Sequence, residues 1–586
     1  MKNPFEFEAA LRFTPEEMVD YFIDNNNFAR FIASQRNVFL LGDRGTGKTM
    51  MLRYYSLPVQ ACKHRIENPD LLLSDRLDTI GVYIACRNTA LAKPEPELLD
   101  KLAGRLMSEH LLVVALVHAL ADSLVYLPDL VSEDEASLIR AEMNFLFQWE
   151  LQDDTPIFVG LKRAAMREAV AIQQVLNARA LDCYYENAVS FATVVLPLID
   201  LLISNVAKLR NSHFSFMFDD AEALSDMQNA TLNTWIASRD TPRISFKVAT
   251  SLVDQKPLTT VAGGALLERH DFIRVNMEPD FQNTDTSFHD LAKEIVERRL
   301  RKCGVEKSAE EFFPVNPQML ADLKAAEDSA RRDAEALFPD KASRQIRDYV
   351  YKYSRAYYFR ERSPRANRPP YSGFDLIVHA STGIIRYLLE PCYEMYDAAQ
   401  SQSKGNQQVQ QIPPAIQAER LEFLSKRRWE WIKQSFNNSI RGCTRQDAKH
   451  LAQLLENLAV FLMFRLRNHK SEPRAITFSI SAQDKFDKTD QLLSLLEVAR
   501  RAQILFKRTS SGKDEGRRED YYVFDRLLWI DRGLDPVGQN ACISLEARFL
   551  WEAAYANKPF PTTATEKASR AKVVVDHPDM FDISGL

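Results

Sequence analysis

The order of apolar and polar positions predicts short buried strands alternating with helices in the first half of the chain. Asn37 to Leu41 (NVFLL) is an apolar run that stops at a glycine, and Lys48 to Tyr55 then has helical spacing. Gly81 to Cys86 (GVYIAC), Phe214 to Phe218 (FSFMF) and Ile244 to Ala249 (ISFKVA) read as further strands, with Phe272 to Val275 as a weaker fifth. They are apolar on both faces, which is the pattern of a parallel sheet covered on both sides. Between the second and third strands, residues 92 to 208 carry helical periodicity with few turn signals. A structureless loop of that length is uncommon in a compact domain, so this segment is expected to be a helical insertion with its own packing.

Past the fifth strand, residues 286 to 304 (TSFHDLAKEIVERRLRKCG) predict an amphipathic helix with a glycine stop. A polar stretch from Lys307 to Arg368 is helical in places and ends in the loop sequence SPRANRPP. Residues 401 to 414 (SQSKGNQQVQQIPP) have the composition of a linker. Beyond it come helices over 416 to 436 and 445 to 468, a strand over 474 to 480 and a helix over 489 to 503. Short strands at 504 to 507 and 521 to 524 flank a polar turn, 509 to 516. This divides the chain into a core over 1–290 containing the insertion, a helical lid over 291–402, a linker over 403–415, a C-terminal domain over 416–560 and a tail over 561–586.

Length and composition agree with that division. A chain of 586 residues predicts roughly three or four domains. The N-terminus has acidic residues where a secretory signal has basic ones. Leu111 to Leu127 and Val189 to Val206 approach membrane-spanning length, but the first contains His118 and Asp122 and the second Pro197 and Asp200, so both are read as buried helices with no membrane partner. The seven cysteines are dispersed, without zinc spacing, which fits free thiols and a cytoplasmic location. Net charge is -5, but residues 401 to 550 hold 25 Lys and Arg against 18 Asp and Glu. Only the C-terminal third therefore offers an electrostatic argument for a nucleic-acid partner.

The chemistry begins at Gly42-Asp43-Arg44-Gly45-Thr46-Gly47-Lys48-Thr49, which matches G-x-x-x-x-G-K-[ST] between a strand and a helix. Glycines let such a loop close its backbone N–H groups around phosphates. Lys48 is expected at the outer phosphates and Thr49 on Mg²⁺. A carboxylate at the end of a neighbouring strand completes a P-loop site, and Asp219-Asp220 after Phe214 to Phe218 supplies it. Asp219 is the expected Mg²⁺-site residue, with Asp220 or Glu222 polarising the attacking water. Thr250 and Ser251, at the end of the following strand, either sense the γ-phosphate or cap a helix. The reading is a Mg²⁺-dependent ATPase. No nuclease, protease or deaminase constellation is visible.

The succession of P-loop strand, second strand, Asp-Asp strand, polar-tipped strand and fifth strand resembles the core of AAA+ and STAND ATPases. More narrowly, RNVFLLGDRGTGKTMMLRY, FSFMFDDAEAL and STGIIRYLLE (Ser381 to Glu390) resemble the origin-recognition-type AAA+ ATPases. That resemblance implies an α/β P-loop ATPase core, a parallel sheet with helices on both faces, joined to a helical lid and a C-terminal winged-helix-like domain. It also implies a sensor role for Arg386 and an arginine finger drawn from Arg269, Arg239 or Arg243. Asp-Asp in place of the more typical Asp-Glu, and the long insertion, depart from the family pattern.

Basic residues at Arg500, Arg501, Lys507, Arg508, Lys513, Arg517 and Arg518 suit phosphate contacts near the expected wing, with Asp514, Glu515, Glu519 and Asp520 interspersed. Two functions follow. In one, an ATP-driven switch forms homo-oligomers and acts on DNA through its C-terminal domain. In the other, a STAND-like regulatory or antiviral-defence ATPase engages a separate effector protein through its insertion.

Overall fold

The computed structural model describes the chain apart from residues 1–2, 7–9, 24–27, 72, 74–76, 148, 150, 152–154, 178–184, 186–187, 239–240, 278–283, 339–342, 363–367, 403–407, 441, 469–472, 482–485, 512–517 and 562–586. The tail after Pro561, most of the expected wing turn, Arg239 and residues 403–407 of the expected linker thus lie outside the described residues. Two compact units emerge, one of Glu8–Glu278 and one of Met1–Phe7 with Pro279–Leu586.

The first unit is built on five parallel strands: β1 (Val38–Leu41), β2 (Thr79–Ala85), β3 (His213–Asp219), β4 (Ile244–Thr250) and β5 (Ile273–Asn276), in the order β2-β3-β4-β1-β5. Their continuous apolar sequences have the expected consequence. Every residue of β1 and β3 is buried, including Phe214, Phe216 and Phe218 at 0% exposure. Each such phenylalanine contributes about 1.5–3 kcal/mol by burial. Register aligns the C-terminal ends of the central strands, pairing Leu41 with Thr250 and Ala85 with Asp219. One expectation shifts: β3 is not the neighbour of β1, because β4 lies between them.

The insertion consists of the helices Lys101–Leu124, Glu133–Phe147 and Ile157–Asn177, then a π-turn over Phe191–Val195 continuing into Leu196–Asn205. It does not pack by itself. Leu112, Leu116 and Leu120 share one core with Ile80, Val82, Phe214 and Phe216 of the sheet. Its apolar face therefore covers the sheet, and the two together bury what neither buries alone. The helix Lys101–Leu124 is long and apolar enough to span a bilayer, yet 67% of its apolar window is buried in the protein.

In the second unit, the segment expected to be a lid forms the helices Thr284–Lys302, Pro317–Leu337, Ser343–Glu361, Phe374–Ala380 and Ile385–Gln402. Helices Pro414–Gln434 and Arg445–Arg467 follow. Next come β6 (Ala475–Ile480), the helix Thr489–Arg501, β7 (Leu505–Ser511), β8 (Arg518–Phe524), β9 (Gln539–Leu545) and the helix Ala547–Tyr555. The sheet runs β7-β8-β6-β9, with β6 antiparallel to β8 and parallel to β9. β9 and the helix after it were not among the elements expected from sequence.

The described half of the expected linker is not a spacer. Ile412 is 0% exposed and its N–H donates to Phe312 O at 2.8 Å. The fully buried Gln417 donates to Pro314 O and Ile412 O and accepts from Gly373 N. Residues 408–414 are therefore bound to the helices before them.

Candidate functional site

The loop after β1 folds as its glycines require. Gly45 and Gly47 take φ of 90° and 99°, a region that side chains disfavour. At Gly42 an added Cβ would stand 2.8 Å from Thr46 Oγ1, which donates to Asp43 O at 2.8 Å. The helix Lys48–Tyr54 follows directly, with Gly47 as its N-cap. Lys48 is 7% exposed, and its Nζ donates to Gly42 O at 2.7 Å and Asp43 O at 3.0 Å. Burial lowers its pKa, against the charges of Glu222, Asp219, Asp220 and Asp43, which favour the ammonium.

Asp219 ends β3 at 1% exposure. Oδ2 accepts from the Tyr83 hydroxyl at 2.8 Å, while Oδ1 is buried without a donor at hydrogen-bond geometry. Burial raises this carboxyl's pKa, and the Asp220 charge raises it further. Thr49, Tyr83 and Lys48 act the other way, Thr49 from close by without completing a bond of full geometry. A buried carboxylate oxygen with no donor, beside a threonine hydroxyl, is the donor set that a hard cation accepts. Thr49 and Asp219 therefore fit Mg²⁺.

Asp220 turns the chain out of β3 with φ 53° and ψ 43°, a left-handed conformation rare outside glycine. Arg87, just past β2, spans the two acidic side chains that follow. Its Nε lies 3.6 Å from Asp220 Oδ2 and its NH2 3.3 Å from Glu222 Oε1. Glu222 Oε2 accepts from Ser251 N at 3.2 Å, so both oxygens of Glu222 are engaged. Thr250 and Ser251 are buried at the end of β4, at 4% and 5% exposure.

Lys48, Thr49, Asp219, Asp220 and Glu222 thus come together at one end of the sheet, with Gly42, Asp43, Gly45, Thr46 and Gly47 framing Lys48 and Arg44 exposed at the loop tip. Arg386 belongs to the second unit, exposed in the first turn of Ile385–Gln402. The turn before it is fastened by Arg526 N–H, which donates to Thr382 Oγ1 at 3.0 Å. Arg269 is exposed with φ 70°, and Arg243 is half-buried.

Tyr83 and Arg87 were missed from sequence. A usable signal existed: each is a polar group at the C-terminal end of an otherwise apolar strand, the end where Asp219 also lies.

A family model described as ORC-CDC6-like matches residues 3–339 and 316–545. No curated protein matches the sequence. Among solved structures, the crystal structure of Cdc6p from Pyrobaculum aerophilum aligns over 94% of this chain and 97% of that chain, at 11% identity and a TM-score of 0.28.

Proposed function

This chain belongs to the ORC-CDC6-like family, and from that premise we propose that it binds and hydrolyses ATP at Gly42 to Thr49, as a switch that oligomerises and acts on DNA. The observation that carries the ATP reading is the convergence of a buried Lys48 and a buried, half-satisfied Asp219 at the ends of β1 and β3. The loop's backbone N–H groups would surround the phosphates. Lys48 would exchange its two carbonyl partners for phosphate oxygens. Thr49 and Asp219 would hold Mg²⁺, whose charge would neutralise those oxygens.

Asp220 is the better candidate to orient the attacking water, since both oxygens of Glu222 already have partners. We expect Asp220→Asn to retain ATP while slowing steady-state phosphate release by about 10²-fold, the scale on which a general base contributes. Glu222→Gln is expected to cost less than tenfold, through loosened Arg87 and Ser251. If Glu222→Gln alone abolishes turnover, the two roles exchange.

The DNA reading draws on the family and on the helix, strand, helix and hairpin order of the C-terminal segment, which suits a winged helix although, among the described residues, one helix separates β6 from β7. The basic cluster is less available than its sequence suggested. Arg508 is 5% exposed, Lys507 pairs with Asp520 at 2.7 Å and Arg500 with Glu497 at 2.5 Å, while Lys513 and Arg517 lie outside the described residues. We expect the full chain with ATP to bind duplex DNA with log affinity falling linearly in log salt. Absence of binding at low salt removes the DNA reading and leaves the ATP reading intact. The family match favours this switch over the STAND-like alternative.

A further inference from the structure

We infer that Tyr83 is a positioning residue for the metal shell, holding the Asp219 carboxylate in the orientation that leaves one oxygen for a divalent cation. The inference rests on the ATP-binding reading above and adds a residue that no part of the P-loop pattern contains.

β2 and β3 run parallel, with Tyr83 opposite Met217 and Ala85 opposite Asp219. Tyr83 therefore sits two positions behind the level of Asp219, and its long side chain reaches forward to donate to Oδ2 at 2.8 Å. At 1% exposure Asp219 has little access to solvent as an alternative donor. Rotation of the carboxylate away from Oδ2 would break the Tyr83 bond, the one hydrogen bond of full geometry that holds this side chain among the described residues. The two oxygens are thereby made unequal: Oδ2 is committed to the phenol, and Oδ1 is the buried oxygen without a donor.

The direction of the bond matters as much as its position. An ionised carboxylate only accepts, and a tyrosine hydroxyl offers one proton. A phenol of ordinary pKa, about 10, carries its proton at neutral pH, so Tyr83 is the donor in this pair. The bond favours the ionised carboxylate, which is the form a cation requires. Partners of this kind, one bond removed from the metal, typically change metal affinity by about 10–100-fold when removed. A tyrosine that served only packing would show no such dependence.

Tyr83→Phe keeps the ring and deletes the hydroxyl. Affinity for a fluorescent ATP analogue, measured in EDTA and across a Mg²⁺ series, separates metal from nucleotide, and Mn²⁺ binding followed by electron paramagnetic resonance reads the metal directly. We expect the Mg²⁺ midpoint to rise by about tenfold or more, with the weaker binding in EDTA preserved. A midpoint within twofold of wild type overturns the inference, as does wild-type protein that binds no nucleotide under either condition, which also ends the ATP reading. In an Asp219→Asn background, Tyr83→Phe should add nothing to the Mg²⁺ shift, because the phenol acts through the carboxylate. An additive loss there would assign Tyr83 to general packing and overturn the proposal.

Discussion

Lys48→Ala is expected to lower ATP affinity by two orders of magnitude or more while leaving the protein folded. Lys48 is 7% exposed, and its ammonium stands among four carboxylates, Glu222, Asp219, Asp220 and Asp43, whose charges it offsets. Truncation would leave those negative charges facing a polyanionic ligand with no buried cation between them. Deleting one partner of a buried charge pair costs about 2–5 kcal/mol, and about 1.4 kcal/mol is a factor of ten. Folding should tolerate the change. The two carbonyls that Lys48 serves, Gly42 O and Asp43 O, sit on a loop whose turn is also held by Thr46 and the two left-handed glycines. Lys48→Arg should rescue little, since a planar guanidinium does not reproduce a compact ammonium in a closed loop. Calorimetric titration with ATP, paired with thermal unfolding, tests this. Affinity within threefold of wild type would remove the P-loop assignment.

The P-loop and the acidic strand end beside it were legible in the sequence because their parts obey local rules. The strand NVFLL, the glycines at 42, 45 and 47 and the Asp pair after FSFMF each lie within a few residues of the feature that explains them. Tyr83 and Arg87 were not legible in that way. They reach Asp219 and the acidic pair across strand pairing, a relation between residues more than a hundred positions apart. The second unit misled for a different reason. Gln-rich composition suggested a spacer, but a glutamine amide satisfies a neighbouring backbone carbonyl as well as it meets water, and Gln408 and Gln411 donate to Cys303 O and Glu311 O. β9 was not read from the sequence although Ala541, Ile543 and Leu545 alternate with Asn540, Cys542 and Ser544; its place in the sheet comes from pairing with β6. The insertion was expected to carry its own core, yet periodicity alone cannot say which surface an apolar helix covers.

The C-terminal segment shares one compact unit with the helices before it, and we expect removal of Asp535 to show that the two depend on each other. Arg355, on the helix Ser343–Glu361 of the expected lid, grips Asp535 with Nε at 3.0 Å and NH2 at 2.7 Å. The Asp535 side chain is 2% exposed and also faces Arg474, whose NH1 lies 3.7 Å away and donates to Gly538 O. Burial would raise the pKa of Asp535, but Arg355 and Arg474 more than reverse this and leave it below the ordinary carboxylate value. Around this pair, Tyr371 donates to Leu534 O at 2.7 Å, Arg360 donates to Asn468 O at 2.8 Å, and Ile384 packs with Phe506, Tyr521 and Val523. Asp535→Ala leaves the half-buried Arg355 and the buried Arg474 without their anion, a change that costs about 3–5 kcal/mol. A substantial fall in the denaturant midpoint of the transition reporting the second unit is the expected result. Replacing Arg355, Arg474 and Asp535 together with Met, Met and Leu should recover much of the loss, because desolvation of the charges disappears with them. By the same reasoning residues 416–560 expressed alone should not unfold cooperatively, whereas residues 279–560, which retain Arg355, Tyr371 and Ile384, should. A cooperative transition in the shorter fragment at the midpoint of the longer one would overturn the assignment and restore an independent C-terminal domain.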